Sequence, residues 1–171
     1  MKTVQKFQTI DFFKRSIFEE VGDDYFSGPI TLERLGIEIE VDFSIFLNGR
    51  CDEFAVALVR RYGGSLAVVT HHDDEGRFLN LAHVYAVKSL GQDNQAIVDI
   101  RGRIQSDSDL SLMEYFEDFY FGDNLYEQMY SLEEGIEVLC ELLKISSEAY
   151  EEDNLKEANR ILEWFEEKYR Y

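Results

Sequence analysis

The chain has 171 residues, 45% of them hydrophobic, so it is long and apolar enough to bury the core of one domain. It contains 17 Lys and Arg residues and 35 Asp and Glu residues, so the formal net charge is −18. An acidic surface repels phosphate backbones, which argues against nucleic-acid binding. Two cysteines are too few for a disulfide framework.

The first region, residues 1–47, begins with apolar residues at helical spacing, which predicts a helix over about residues 9–21. We expect "TLERLG" to form a short helical turn that Gly36 closes, and the alternating "IEIEVDF" to form a half-buried strand. The N-terminus lacks the uncharged core of a signal peptide, and no apolar run approaches 18 residues. We therefore expect a cytoplasmic protein with reduced thiols and no membrane contact.

The second region, residues 48–104, predicts a helix packed on a small antiparallel sheet. "CDEFAVALVRRYGG" reads as a helix that starts at Cys51 and ends at two glycines. The pattern predicts three strands joined by short polar turns: "SLAVVTH", "FLNLAHVYAVKSL" and "AIVDIRG". Short connections place neighbouring strands side by side, so residues 79–88 should lie between 65–71 and 95–101.

The third region, residues 105–171, is predicted to be helical and carries a net charge of −14. "DLSLMEYFEDFYF" suggests a short helix, and Ser131 with Glu134 forms a capping-box pattern before the next one. Leu155, Leu162 and Phe165 share one stripe of the last helix, which is typical of a packing face. We expect the last two helices to form an antiparallel hairpin within a single α+β domain spanning residues 1–171.

Two polar residues interrupt apolar strands and can satisfy each other. His83 lies in "LAHVYAV" and Asp99 in "IVDIR", so antiparallel pairing can bring them together. Cys51 precedes them at a helix N-terminus, where backbone N–H groups should lower the thiol pKa. The chain order Cys51, His83, Asp99 then matches nucleophile, base and orienter. Each also has a structural interpretation: Cys51 as core filler, His83 as a hydrogen-bonded core histidine, and Asp99 as a partner of Arg101, Arg103 or a turn amide.

The segments "NGRCDEFAVAL", "AHVYAV" and "IVDIRG" resemble papain-like cysteine hydrolases, including their transglutaminase-like and NlpC-type branches. The resemblance covers residues 48–103 and implies a papain-like core with a Cys51–His83–Asp99 triad acting on an amide, ester or thioester. No cofactor or metal is implied. The Cys51 backbone N–H is one candidate oxyanion donor, and the Asn48 side chain is a candidate for the second.

The residues after Cys51 depart from papain itself, which has a tryptophan there. Asp52 and Glu53 follow instead, and their charges would oppose a thiolate unless they point to solvent. The apolar stripe of the predicted helix places both away from the Cys51 face.

Two other candidate sites are better explained as structure. Cys140, in "EVLCELLK", lies on an apolar helix face and should pack in the core. The side chains of "HHDDE" at 71–75 are consecutive on a turn and diverge, so a solvated loop is favoured over a metal site.

Two functions from different classes remain open. One is a cysteine hydrolase or acyltransferase with a peptide or protein substrate, because peptidase, deamidase and transglutaminase chemistry share an acyl-thioenzyme. The other is an acidic, non-enzymatic binding or inhibitory protein that masks a basic protein partner. A quickly alkylated Cys51 would favour the enzyme, and an inert thiol would favour the binder.

Overall fold

A computed structural model describes residues 6–8, 30–34, 37–46, 49–91, 94–100, 102–104 and 124–170. The strands are β1 Lys6–Gln8, β2 Ile30–Arg34, β3 Ile37–Val41, β4 Ser65–His72, β5 Phe78–Gly91, β6 Asn94–Asp99, β7 Gly102–Ile104 and β8 Leu125–Tyr130. The helices are α1 Cys51–Tyr62, α2 Leu132–Leu143, α3 Lys156–Trp164 and α4 Glu166–Tyr169, with 3₁₀ turns at Phe43–Phe46 and Ser147–Tyr150. The chain is therefore an α+β protein.

The larger sheet is antiparallel throughout and has the strand order β7-β6-β5-β4-β8. The predicted central position of residues 79–88 is confirmed, because β5 pairs with β4 on one side and β6 on the other. The β4–β5 register shifts between Val69 and Thr70, so one extra β5 residue forms a bulge beside His83. A second sheet has the order β1-β2-β3.

The helices cover one face of the larger sheet. Its main hydrophobic cluster joins α1 residues such as Phe54 and Leu58 to Val84 and Val98 of the sheet. A second cluster, with Val69 and Tyr85 among its members, lies on the opposite face. Alternating strand residues therefore divide between two apolar environments.

The predictions for the C-terminal helices are confirmed in part. Leu155, Leu162 and Phe165 are buried in the main cluster, which confirms the packing stripe. The last helix is interrupted at Phe165, so α3 and α4 replace the single predicted helix. The last two long helices do not form the expected antiparallel hairpin. Helices α2 and α3 each pack against α1, and the 3₁₀ turn Ser147–Tyr150 lies between them in the chain.

Two other predictions were wrong. Thr31–Arg34 of "TLERLG" lie in strand β2 and not in a helical turn, because Ile30–Arg34 pairs antiparallel with Ile37–Val41; Leu35 and Gly36 lie outside the described residues. The third region is not purely helical, because Leu125–Tyr130 pairs with β4 as strand β8. The helices predicted over residues 9–21 and within "DLSLMEYFEDFYF" lie outside the described residues.

The capping box of α2 is confirmed. Ser131 Oγ accepts a hydrogen bond from the Glu134 backbone N–H at 3.4 Å, and the Glu134 carboxylate accepts from the Ser131 N–H at 3.2 Å. Among the described helices, none has the length and apolar character needed to cross a membrane.

Candidate active site

Cys51 is the first residue of α1, where no side chain caps the helix. Gly49 has a φ of +117°, in the left-handed region that favours glycine, and it turns the chain into the helix. The N-cap residue Arg50 makes no side-chain cap hydrogen bond. The backbone N–H groups of Val84, Asp52 and Cys51 itself act to lower the pKa of the Cys51 thiol. The helix terminus is therefore directed at the sulfur, as the sequence indicated.

His83 and Asp99 form a buried pair, and each is only 2% exposed. His83 Nε2 lies 3.1 Å from Asp99 Oδ2. In a neutral imidazole, the ring nitrogen that faces a carboxylate carries the proton, so the lone pair lies on Nδ1. That arrangement is the one a base and its orienter require.

Cys51 meets the sheet at the edge of strand β5, beside the residue that follows His83, and not across a face of the sheet. His83 lies opposite Val69 in the register, and its ring is 6.2 Å from that of Tyr85, so it points away from the α1 face. The Cys51 sulfur meets the N–H of Val84, the next residue along β5. The structure therefore brings His83 and Asp99 into contact and places Cys51 at the backbone beside His83.

This edge is accessible to the helix terminus because strand β6 ends early. The pairing of β5 with β6 extends no further than Ala86 opposite Val98, because Ile100 already belongs to a turn. Val84, two residues before Ala86, therefore has no partner residue on β6 in this register. Helix α1 therefore covers the face opposite the His83 side chain, and only its N-terminus reaches the β5 edge.

The pKa of the Cys51 thiol is raised to about 12, so the prediction that the helix N-terminus lowers this pKa was wrong. Burial is the largest cause, since only 7% of Cys51 is exposed, and the charge of Asp52 is the second. The three backbone N–H groups act in the opposite direction but are outweighed. The thiol is therefore protonated at neutral pH.

Asp52 does not point to solvent, contrary to the sequence expectation. It is 4% exposed and accepts a hydrogen bond of 2.5 Å from the Tyr150 hydroxyl. Burial raises the pKa of Asp52, and burial together with Asp52 raises that of Tyr150. Glu53, by contrast, is held at the surface by Arg50, whose Nε donates to Glu53 Oε1 at 2.9 Å.

Sequence reasoning missed the Asp52–Tyr150 pair entirely. The two residues are 98 positions apart, and Tyr150 lies in a 3₁₀ turn with no periodic pattern. Arg60 also donates a hydrogen bond to the Tyr150 carbonyl oxygen. One weak signal was available: the acid at the second helical position lies only two residues before the apolar run Phe54–Val59.

The remaining candidates have the following outcomes. Asn48 lies outside the described residues, so its oxyanion role stays a prediction. Cys140 is half-buried and packs against the main cluster. Of residues 71–75, which were predicted to form a loop, His71 and His72 instead end strand β4, and Asp73 in the turn after them binds Arg77 through Oδ2 and Nε at 2.7 Å. Within the described ranges, no group of three or more His, Cys, Asp or Glu residues is arranged to hold a metal ion.

No protein-family model matches this chain, and comparisons with curated proteins and with solved structures find no match. The site consists of a thiol at a helix N-terminus, an imidazole on the adjoining strand position, and a carboxylate that fixes the imidazole.

Proposed function

We propose that this protein is a papain-like cysteine hydrolase or acyltransferase in which Cys51 is the nucleophile, His83 the base and Asp99 the orienting carboxylate. The observation that carries the proposal is the buried hydrogen bond between His83 Nε2 and Asp99 Oδ2, at 3.1 Å. These residues follow the papain-like order and occupy the expected helix and strands.

The high thiol pKa favours one form of the mechanism. Because Cys51 is protonated at rest, its proton must pass to His83 Nδ1 as the sulfur attacks the substrate carbonyl carbon. Asp99 stabilises the imidazolium through Nε2. The tetrahedral intermediate collapses when the imidazolium returns the proton to the leaving amine or alcohol, leaving a thioester on Cys51. Water or an amine then attacks the thioester, and the same imidazole accepts and returns the proton.

The N-terminus of α1 supplies donors for the negative oxygen that develops during attack. The Cys51 backbone N–H lies next to the reacting sulfur and is the first candidate donor. Asn48 remains our candidate for the second. Since a free nucleophilic thiol needs reducing surroundings, we place the protein in the cytoplasm.

The experiment is hydrolysis of an activated ester and a fluorogenic peptide amide, with and without a primary amine as acceptor. We expect turnover by the wild-type chain, its loss in Cys51→Ala and His83→Ala, and residual turnover in Asp99→Asn. Cys140→Ala is the matched control and should retain activity, because that thiol lies on α2. Equal activity in wild type and Cys51→Ala would overturn the proposal.

One observation favours the second candidate, an acidic non-enzymatic protein that binds a basic partner. A buried thiol with a pKa of about 12 is what a purely structural cysteine would show. On that account no substrate would be turned over, and Cys51→Ala would bind the partner as the wild type does.

A further inference from the structure

Strand β8 is the last strand of the larger sheet, and its outer edge is open. It pairs with β4 on one side, and within the described residues no strand pairs with its other side. Its residues 126–129 are all exposed, and the side chains of Tyr126 and Met129 reach 55% and 54%. Such an edge presents unpaired backbone groups to any strand that can add to it.

The hydrogen bonds of β8 with β4 show which of its backbone groups point outward. The His72 N–H donates to the Asn124 carbonyl oxygen at 3.0 Å, so these two residues form a hydrogen-bonded pair. Hydrogen-bonded and non-hydrogen-bonded pairs alternate along an antiparallel ladder. The β4–β8 register therefore directs the N–H and C=O groups of three residues away from the sheet: Leu125, Glu127 and Met129.

The strand lacks most of the features that protect exposed edges. Residues 125–130, "LYEQMY", contain no proline, glycine or lysine, and Glu127 is their one charged side chain. Gln128 points to the helix-covered face, because Val68 opposite it belongs to the main cluster. Side chains alternate along a strand, so Tyr126 and Tyr130 point to the same face. That face of the edge is therefore aromatic and uncharged.

The sequence of β8 is complementary to itself when a second copy lies antiparallel to it. Outward-pointing backbone groups must meet, so Glu127 and Met129 can pair with each other across the edge. Setting Glu127 opposite Met129 of the second copy gives two symmetry-related pairs, each with two backbone hydrogen bonds. The same register sets Tyr126 opposite Tyr130 of the second copy, and Gln128 opposite Gln128. These are the closer, non-hydrogen-bonded positions, where side-chain contacts stabilise a sheet most.

The two neighbouring registers are less favourable. A shift of two residues in one direction places Glu127 opposite Glu127 of the second copy, and like charges directly opposite each other destabilise a sheet. A shift in the other direction leaves Met129 and Tyr130 without partners. The pairing also has a defined end, because the N–H of Ser131 is already bonded to the Glu134 carboxylate at 3.2 Å.

We propose that β8 pairs with β8 of a second copy, which joins two five-stranded sheets into one continuous sheet with two-fold symmetry. The formal charge of −18 on each copy opposes this contact, so salt should strengthen it by screening the repulsion. The interface lies apart from Cys51, because β4 separates β8 from the β5 edge that Cys51 meets. The dimer therefore does not depend on the proposed function.

The first test is sedimentation equilibrium of the full chain under reducing conditions. We expect a monomer–dimer equilibrium whose association constant rises about fivefold or more between about 0.05 M and about 0.5 M NaCl. Met129→Pro removes an outward N–H and leaves the hydrogen bonds to β4 in place, so it should weaken association by about tenfold or more. Met129→Thr keeps that N–H and is the matched control, with an expected change of less than about threefold.

The second test is a cysteine scan in a Cys51→Ala, Cys140→Ser background, which also covers the case that the proline variant does not fold. Oxidation should cross-link Gln128→Cys, because residue 128 lies opposite itself where Cα atoms are about 4.5 Å apart. Glu127→Cys should cross-link about tenfold more slowly, since it lies opposite a different residue. Faster cross-linking at 127 than at 128 would overturn the pairing.

Two outcomes of the sedimentation test would overturn the dimer. One is a chain that stays monomeric at about 100 μM at both salt concentrations, which would leave the edge to a strand from another protein. The other is a dimer that a folded Met129→Pro variant forms as strongly as the wild type does, which would place the contact elsewhere on the surface.

Discussion

Replacing Asp52 with asparagine should make the Cys51 thiol more reactive. Asp52 is buried beside Cys51, and its charge is the second cause of the raised thiol pKa. Asparagine has nearly the same shape, and its carbonyl oxygen can still accept the hydrogen bond from Tyr150. The substitution therefore removes the charge while keeping the contact that holds α1 to the C-terminal segment.

The size of the effect follows from the thiolate population. With a pKa of about 12, about one thiol in 10,000 is ionised at pH 8. Because burial remains, we expect Asp52→Asn to lower the thiol pKa only to about 11, which makes the thiolate about tenfold more abundant. A less basic thiolate is a weaker nucleophile by about threefold, so alkylation should be about three to four times faster.

The assay is the second-order rate of iodoacetamide alkylation between pH 7 and pH 10, in a Cys140→Ser background so that only Cys51 reports. Glu53→Gln is the matched control, because it removes the next acid of the same helical turn, which is paired with Arg50. We expect that control to change the rate by less than about twofold. An Asp52→Asn protein that folds normally but is alkylated no faster than the wild type would refute the electrostatic reasoning.

Three further predictions concern stability. Gly135→Ala should destabilise the protein by about 1 kcal/mol in urea despite the better helix propensity, because the new Cβ would lie 2.7 Å from Cδ1 of the buried Leu66; a gain in stability would contradict this packing. Ser131→Ala should cost about 1 kcal/mol through loss of the α2 cap, and Ser131→Thr should restore most of it. The pKa of Asp52 is higher in the folded than in the unfolded protein, where it is about 3.9. The stability that Asp52 contributes is therefore present below about pH 3.9 and is lost as the pH rises through the folded pKa. Asp52→Asn should flatten this loss, which unfolding curves measured over a series of pH values would show.

Strands β4, β5 and β6, and the polar pair on β5 and β6, were predictable from local pattern. Glycines bound the β4 and β5 segments, and their apolar runs are long enough to mark strands. His83 and Asp99 were recognisable because each is a polar residue within such a run, and a buried pair of this kind must satisfy its own hydrogen bonds.

The errors came from contacts between distant segments. Residues 125–130, "LYEQMY", have four exposed positions in succession, so strand β8 carries little apolar pattern and is defined by its pairing with β4. The burial of Asp52 depends on Tyr150, which no local signal connects to α1. Because the burial of Cys51 and the charge of Asp52 raise the thiol pKa, the electrostatics of the site could not be derived from the helix N-terminus alone.

The central claim is that His83 activates Cys51 for acyl transfer. The most direct measurement is the rate at which p-nitrophenyl acetate acetylates Cys51, followed by intact mass and peptide mapping in wild type and His83→Ala. We expect a burst of nitrophenol equal to one acetyl group per chain on Cys51, at least about 100-fold slower in His83→Ala because a positioned base contributes that much. Acetylation of Cys51 at the same slow rate in both proteins would contradict the claim and leave Cys51 as a packed core residue.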